Sequence, residues 1–183
     1  MMLGICSTLA VTNRVSNSIA MGIAVTFVTC ASSVLVSLVK SFIPKRVRMA
    51  VYTIIIATFV IVVDQYLKAV FPVISEQMGP YVGLIITNCI IMGRCEAFAA
   101  IHNPWLSFLD GLGCGIGYAL SLVCIAVIRE VMGFGTIMGA AVMGSNFTPW
   151  VVMAMPPGAF LVLGTYIWIL RSIQGVEPEN SRT

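Results

Sequence analysis

Ile19-Ala-Met-Gly-Ile-Ala-Val-Thr-Phe-Val-Thr-Cys-Ala-Ser-Ser-Val-Leu-Val-Ser-Leu-Val39 runs for 21 residues without a charge. That matches the roughly 20 apolar residues that a helix needs to cross the hydrocarbon core of a bilayer. The rest of the chain agrees with it. Of 183 residues, 59% are hydrophobic and 9% charged, with 10 Lys plus Arg and 7 Asp plus Glu. Mean hydropathy is +1.01. Soluble domains carry about 25% charge, so a water-soluble globular enzyme is excluded. Disorder, which needs high charge and few apolar residues, is excluded too. So few charges cannot build a basic face for nucleic acid. The composition predicts an all-α membrane protein, one integral membrane domain over 1–183, with about six transmembrane helices.

Breaks divide the chain around that stretch. Residues 40–48 hold Lys40, Lys45, Arg46, Arg48 and a Pro, with no acid, and read as a loop. Met49 to Val70 is β-branched and apolar, interrupted by Asp64. A run this long and non-alternating is a helix in a bilayer, because only helices and closed barrels satisfy the backbone there. Pro72 to Pro80 reads as a break, Tyr81 to Met92 as a short apolar segment, and Gly93 to Asp110 as a polar loop. Gly111 to Ile128 is a small-residue span ended by Arg129 and Glu130. Residues 131–150 read as an interfacial loop, Trp150 to Leu170 as the last span, and 171–183 as a polar tail. Met1 to Thr12 is apolar but only about 18 Å long as a helix, too short to cross. It lacks the basic lead and small-residue cleavage site of a signal peptide, so it reads as a half-span.

The order is short, long, long, then short, long, long. Three crossings is an odd number, so the second triplet is inverted relative to the first. The two repeats cover about 1–71 and about 77–171, and the first helix of each is a half-helix. Short segments at matched places in inverted halves point to a site at the membrane midplane. Each carries a cysteine: Leu3-Gly-Ile-Cys6-Ser7 and Ile86-Thr-Asn-Cys89-Ile90. A lone Cys in apolar surroundings is usually a small core residue. Two at matched sites also fit half of a metal site. Cys30, Cys124, Cys114 and Cys95 form no C-x-x-C spacing, and a disulfide framework belongs to small secreted domains. Two thiolates cannot complete a four-thiolate cluster, so a partner chain is required if they are ligands.

Charge placement sets orientation. Lys40, Lys45, Arg46, Arg48, Arg94, Arg171 and Arg182 fall on one side, and Arg14, Lys68 and Arg129 on the other. Seven cations against three put both termini in the cytoplasm. Asp64 is either an ionisable residue with an intramembrane role or an interfacial partner of Lys68 one turn on. Asp110 suits an N-cap of the Gly-rich span. Arg94 and Glu96 read as loop charges. His102 stands alone, which makes a weak metal case. Gly113 and Gly117 form G-x-x-x-G, which predicts close helix packing there. No dinucleotide fingerprint, P-loop or catalytic triad is present.

The strings Leu3-Gly-Ile-Cys6-Ser-Thr-Leu-Ala-Val-Thr12, Val62-Val-Asp64-Gln65, Gly83-Leu-Ile-Ile-Thr-Asn-Cys89-Ile-Ile-Met-Gly-Arg94, Glu96-Ala-Phe-Ala99 and Phe108-Leu-Asp110-Gly-Leu-Gly resemble one family. It is the D/E membrane pair of the sodium-translocating NADH:quinone reductase, Nqr, with the homologous A and E subunits of the Rnf complex. The resemblance spans nearly the whole chain and leans to the D-type branch. It implies six helices in two inverted repeats in a bacterial inner membrane, and a homologous, oppositely oriented E-like partner. It further implies one [2Fe-2S] cluster shared between the two subunits, with Cys6 and Cys89 as this chain's ligands. Electrons would pass from a peripheral subunit toward FMN and, in the complex, to ubiquinone. Na+ would be the transported ion, with Asp110 and Asp64 matching the acidic positions of its path. It also implies a longer lead-in before Leu3, and Ala where this chain has Cys95. An apolar shell of Ile5, Leu9, Ile90 and Ile91 would lower such a cluster's potential by excluding water.

Three activities are compatible with these residues. The first is an electron-transfer subunit of a Na+-translocating NADH:quinone oxidoreductase or of an Rnf-type ferredoxin:NAD oxidoreductase. The second is a small inverted-repeat secondary transporter. The third is a scaffold for other redox subunits.

Overall fold

The computed structural model describes residues 4–44, 46–70, 72–137, 140–141 and 151–174. The fold is helical: α1 (Ile5–Val11), α2 (Val15–Val39), α3 (Arg48–Val70), α4 (Pro72–Ile86), α5 (Cys89–Arg94), a π-helical turn (Cys95–Ala99), α6 (Pro104–Phe134), α7 (Val151–Ala154) and α8 (Pro156–Gln174). One two-residue antiparallel bridge joins Thr136–Ile137 to Ala140–Ala141. Among the described residues, four stretches are long and apolar enough to cross a membrane: Val15–Val39, Arg48–Val70, Gly79–Ala99 and Pro104–Phe134.

The centre of the fold is the antiparallel pair α2–α6. Its contact is set by small residues four apart on each helix. A methyl placed on Gly22 would meet the Ala119 Cβ at 2.8 Å, one on Gly115 the Thr26 Cα at 2.8 Å, and one on Gly111 the Cys30 Cα at 3.1 Å. Lipid is as apolar as leucine, so close backbone approach rather than water exclusion holds such helices together. The same absence of water explains the hydroxyls of α2. Thr26 donates to the Gly22 carbonyl at 2.7 Å and Thr29 to the Val25 carbonyl at 2.6 Å, which satisfies each side chain within its own helix.

This corrects the glycine expectation. Gly113 and Gly117 are not the packing pair: a side chain on either would meet nothing within 4 Å. The contact uses the other G-x-x-x-G, Gly111 and Gly115. Residues two apart on a helix lie on nearly opposite faces, so a strictly alternating glycine run offers two faces, and only one meets α2.

Elsewhere the breaks shift. Pro72 opens α4 and Pro80 lies inside it, so Pro72–Pro80 is helix rather than a break. Proline is tolerated in the first turn, and neighbouring groups can re-satisfy the backbone around an internal one in a membrane helix. The polar stretch 93–110 is mostly helical. The π turn runs to Ala99, and α6 begins at Pro104 with Asn103 at its N-cap. Asp110 is therefore in the second turn of α6 and is not its cap. The last span is interrupted at Met155, and Pro156 and Pro157 open α8, where their missing N–H groups cost nothing. Trp150, most of the expected 131–150 loop and the end of the tail lie outside the described residues.

Candidate functional site

The first expected half-helix starts after Gly4, the second, Tyr81 to Met92, is divided at Thr87 and Asn88, and these two points meet. α1 starts after Gly4, whose φ of 91° lies in the left-handed region. A methyl there would also come within 2.7 Å of Ile90 Cδ1 and 3.1 Å of Tyr118 Cε2, so glycine is demanded twice over. α4 stops at Ile86, and Asn88 starts α5 by accepting the Ile90 N–H on Oδ1 at 3.1 Å. Short apolar segments alone do not show that α4 leads into this break. It is a broken helix with Thr87 and Asn88 at the gap, rather than an isolated half-helix.

Across the junction, Asn88 Nδ2 donates to Ser7 Oγ at 3.2 Å. Ser7 Oγ also lies 2.5 Å from the Tyr118 hydroxyl and 3.1 Å from the Gly4 carbonyl. Ser7, Asn88 and Tyr118 are buried, while Cys6 and Cys89 are exposed and free. The two expected ligand cysteines thus sit one residue away from the two ends of a single buried hydrogen bond, with their thiols at the surface. Among the described residues, no three His, Cys, Asp or Glu side chains gather as a metal site within the chain. Ile91 and Ile90 back the junction in the core.

The remaining cysteines differ. Cys95 is not in a polar loop. It is fully buried, with its thiol 3.8 Å from Ser32 Oγ. Cys30 is buried and Cys124 exposed on α6.

Arg129 and Glu130 do not end a span. They lie in α6, 2% and 4% exposed, and act on the turn between α1 and α2. Arg129 donates to Thr12 Oγ1 at 2.5 Å, Asn13 Oδ1 at 2.8 Å and the Leu9 carbonyl at 3.4 Å, and to the Met153 carbonyl at 3.3 Å. Glu130 Oε2 accepts the Val15 N–H at 2.7 Å. A cation thus serves the carbonyl end of α1 and an anion the N–H end of α2, the favourable sign at each terminus. The other junction has a counterpart. Lys40, at the end of α2, donates to the carbonyls of Ile101 and His102 at 3.3 and 2.7 Å, between the π turn and α6. Ser37 donates to the His102 carbonyl at 2.7 Å. Each long central helix therefore clamps the turn that leads into the other.

The acidic candidates are separated. Asp64 pairs with Lys68 at 2.5 Å, an i,i+4 contact with Lys68 exposed. Asp110 pairs with Arg94 at 2.6 Å, and both are mostly buried. Glu96 pairs with Arg48 at 3.3 Å, so Arg94 and Glu96 are ion-paired helical residues rather than loop charges. The buried Glu96 Oε2 and Arg94 Nε have no hydrogen-bond partner among the described residues. The His102 ring stacks on Phe98 at 4.0 Å, and its Nδ1 lies 3.2 Å from the Phe98 carbonyl.

From the sequence, Arg129 reads as the end of a span, and Ser7, Asn88 and Tyr118 show no role of their own. Asn88 had a legible signal, an N-cap residue between two apolar runs. Arg129-Glu130 had another, adjacent charges inside a long apolar stretch. Tyr118 had none.

The family model described as Rnf-Nqr subunit, membrane protein, matches residues 1–167. The D subunit of the Na(+)-translocating NADH-quinone reductase of Tolumonas auensis is 47% identical, covering 97% of this chain and 85% of that protein. The D subunits of the same enzyme from Chlamydia trachomatis serovar L2 and Pseudoalteromonas atlantica are 48% and 45% identical, over 98% and 97% of this chain and 88% of each of theirs. A family match across nine-tenths of the chain joins the helical membrane fold and the paired helix breaks: the chain belongs to the Rnf-Nqr family of membrane subunits.

Proposed function

We propose that this chain is the D-type membrane subunit of a Na+-translocating NADH:quinone reductase, and that Cys6 and Cys89 hold its half of an intramembrane [2Fe-2S] cluster. The carrying observation is that the start of α1 and the break before α5 meet through Ser7 and Asn88 and leave one exposed, free thiol beside each end. The donor set fits half a cluster: two thiols, with the other two required from a second chain. A homologous, oppositely oriented E-like subunit supplies them. The cluster, when bound, provides a one-electron relay on the way to FMN. This chain's residues do the rest. The thiolates bind, the Ser7–Asn88 bond fixes the two helix starts against each other, and Ile90 and Ile91 keep water from the inner side.

The four long apolar stretches, with α1 and α8 added, make six helical segments in two inverted repeats, about 1–71 and 77–171. The reciprocal clamping by Arg129 and Lys40 supports that symmetry. Both termini face the cytoplasm in the bacterial inner membrane.

The test is Cys89→Ser in the assembled complex. The expected result is loss of the [2Fe-2S] EPR signal and of its iron and sulfide, with quinone reductase activity at background. Cys124→Ser, also exposed, leaves all three unchanged. An intact signal in Cys89→Ser refutes the assignment.

For sodium, Asp110 is the stronger candidate. Asp64 is as shielded as Asp110, but its partner is an exposed lysine one turn on along its own helix, an ordinary i,i+4 pair. Asp110 is held by Arg94 from another element, and the Nε of that arginine has no hydrogen-bond partner among the described residues. A cation reaching this pair competes with Arg94 for Asp110. Asp110→Asn should weaken the apparent sodium affinity of turnover by at least about fivefold, since a unit charge at contact is worth about 1 kcal/mol even in water. Unchanged sodium-dependent turnover would show that Asp110 only anchors Arg94.

A further inference from the structure

Ser7 Oγ has one proton to give and two lone pairs to receive. The Gly4 carbonyl, 3.1 Å away, only accepts, and so takes the Ser7 proton. The Asn88 amide is oriented by the Ile90 N–H on its Oδ1, so its NH2 group faces Ser7 and donates. Tyr118 must then donate its hydroxyl proton to the second lone pair, over 2.5 Å. With that, Ser7 is saturated. The Tyr118 ring also lies beside Gly4. Arg129, 11 residues on, is three helical turns further along the same face of α6, where it holds the other end of α1. α1 is thereby pinned at both ends to one rigid helix, and the break before α5 is pinned through Ser7.

We propose that Tyr118 is a positioning residue: its hydroxyl, through Ser7 and Asn88, sets the spacing between the Cys6 and Cys89 thiols. The redox consequence rests on the cluster assignment above, while the geometric one does not.

The full-length chain, in detergent and without iron, is treated with a short bis-methanethiosulfonate reagent, and the products are mapped by peptide mass spectrometry. The wild type is expected to give a Cys6–Cys89 link. Tyr118→Phe keeps the ring and the fold but releases Ser7, and should lower that yield about fivefold, the population change that one lost hydrogen bond produces. Ser7→Ala should do the same. In the assembled complex, Tyr118→Phe should retain iron but broaden the [2Fe-2S] EPR line and shift its midpoint potential, which a purely structural role would leave in place. An unchanged crosslink yield, or an unchanged EPR line and potential, overturns the inference. If the wild-type complex has no [2Fe-2S] signal, the cluster assignment fails and the crosslink yield alone decides the spacing.

Discussion

Gly115→Leu is expected to destroy the α2–α6 pair, whereas Gly117→Leu, two residues on, is expected to leave it standing. The first atom of any side chain at Gly115 would sit 2.8 Å from the Thr26 Cα and 2.7 Å from its Cγ2. A side-chain end can rotate away, but a backbone atom of a packed helix cannot. Overpacking a close-packed interior usually costs about 1–3 kcal/mol. A whole leucine against backbone belongs at or above the top of that range, which removes about a hundredfold from the folded ratio. Gly117 is exposed, and a side chain there meets nothing within 4 Å. Thermal melting of the detergent-solubilised full chain, read by tryptophan fluorescence, should separate the two variants. Equal melting would mean that the helices do not cross at Gly115.

Arg129→Met should be the most damaging change outside the helix crossing. The guanidinium spreads its donors over Thr12, Asn13 and the Leu9 and Met153 carbonyls, at 2% exposure. Methionine has similar bulk and none of the donors, so the buried Thr12 hydroxyl and the partly buried Leu9 and Met153 carbonyls lose a donor, while the exposed Asn13 can turn to solvent. Each stranded group costs about 1–3 kcal/mol. Total stabilities are only about 5–15 kcal/mol. Arg129→Lys should recover part of the loss, because one ammonium reaches fewer of the acceptors than a planar fork. The check is the urea midpoint of the three proteins, with proteolysis of the 9–15 turn as the local readout. If Arg129→Met unfolds at the wild-type midpoint, the clamp carries no stability. Lys40 holds the other junction with fewer bonds and more exposure, so its removal should cost less.

Much of the architecture is legible in the sequence. The uncharged 19–39 run and the apolar lengths that follow it mark membrane helices, because crossing hydrocarbon demands both length and a fully bonded backbone. The two cysteines stand out because each lies in a short apolar run of the sequence, although in the fold the second run is part of the longer Gly79–Ala99 stretch. Their neighbours in the chain are joined in the fold. The stretches that mislead do so for local reasons. Proline at 72 and 80 suggests a break by its missing N–H, but a helix start and a membrane interior both accommodate it. The charges at 93–110 suggest a loop, but they pair: Arg94 with Asp110 and Glu96 with Arg48. Paired charges can lie along a helix that unpaired ones would end.

By itself, then, the sequence determined that the chain lives in a bilayer, roughly where its helices run, and which two thiols sit at their interruptions. Only the tertiary structure decided which way each helix faces. A soluble helix displays its inward side as an apolar stripe against polar neighbours. A membrane helix is apolar all round, so nothing in its pattern separates Gly113 and Gly117 from Gly111 and Gly115. The same holds for the buried polar groups. Tyr118, Arg129 and Ser7 acquire their roles from partners 111 to 120 residues away, and that proximity exists only once α1 has been laid along α6.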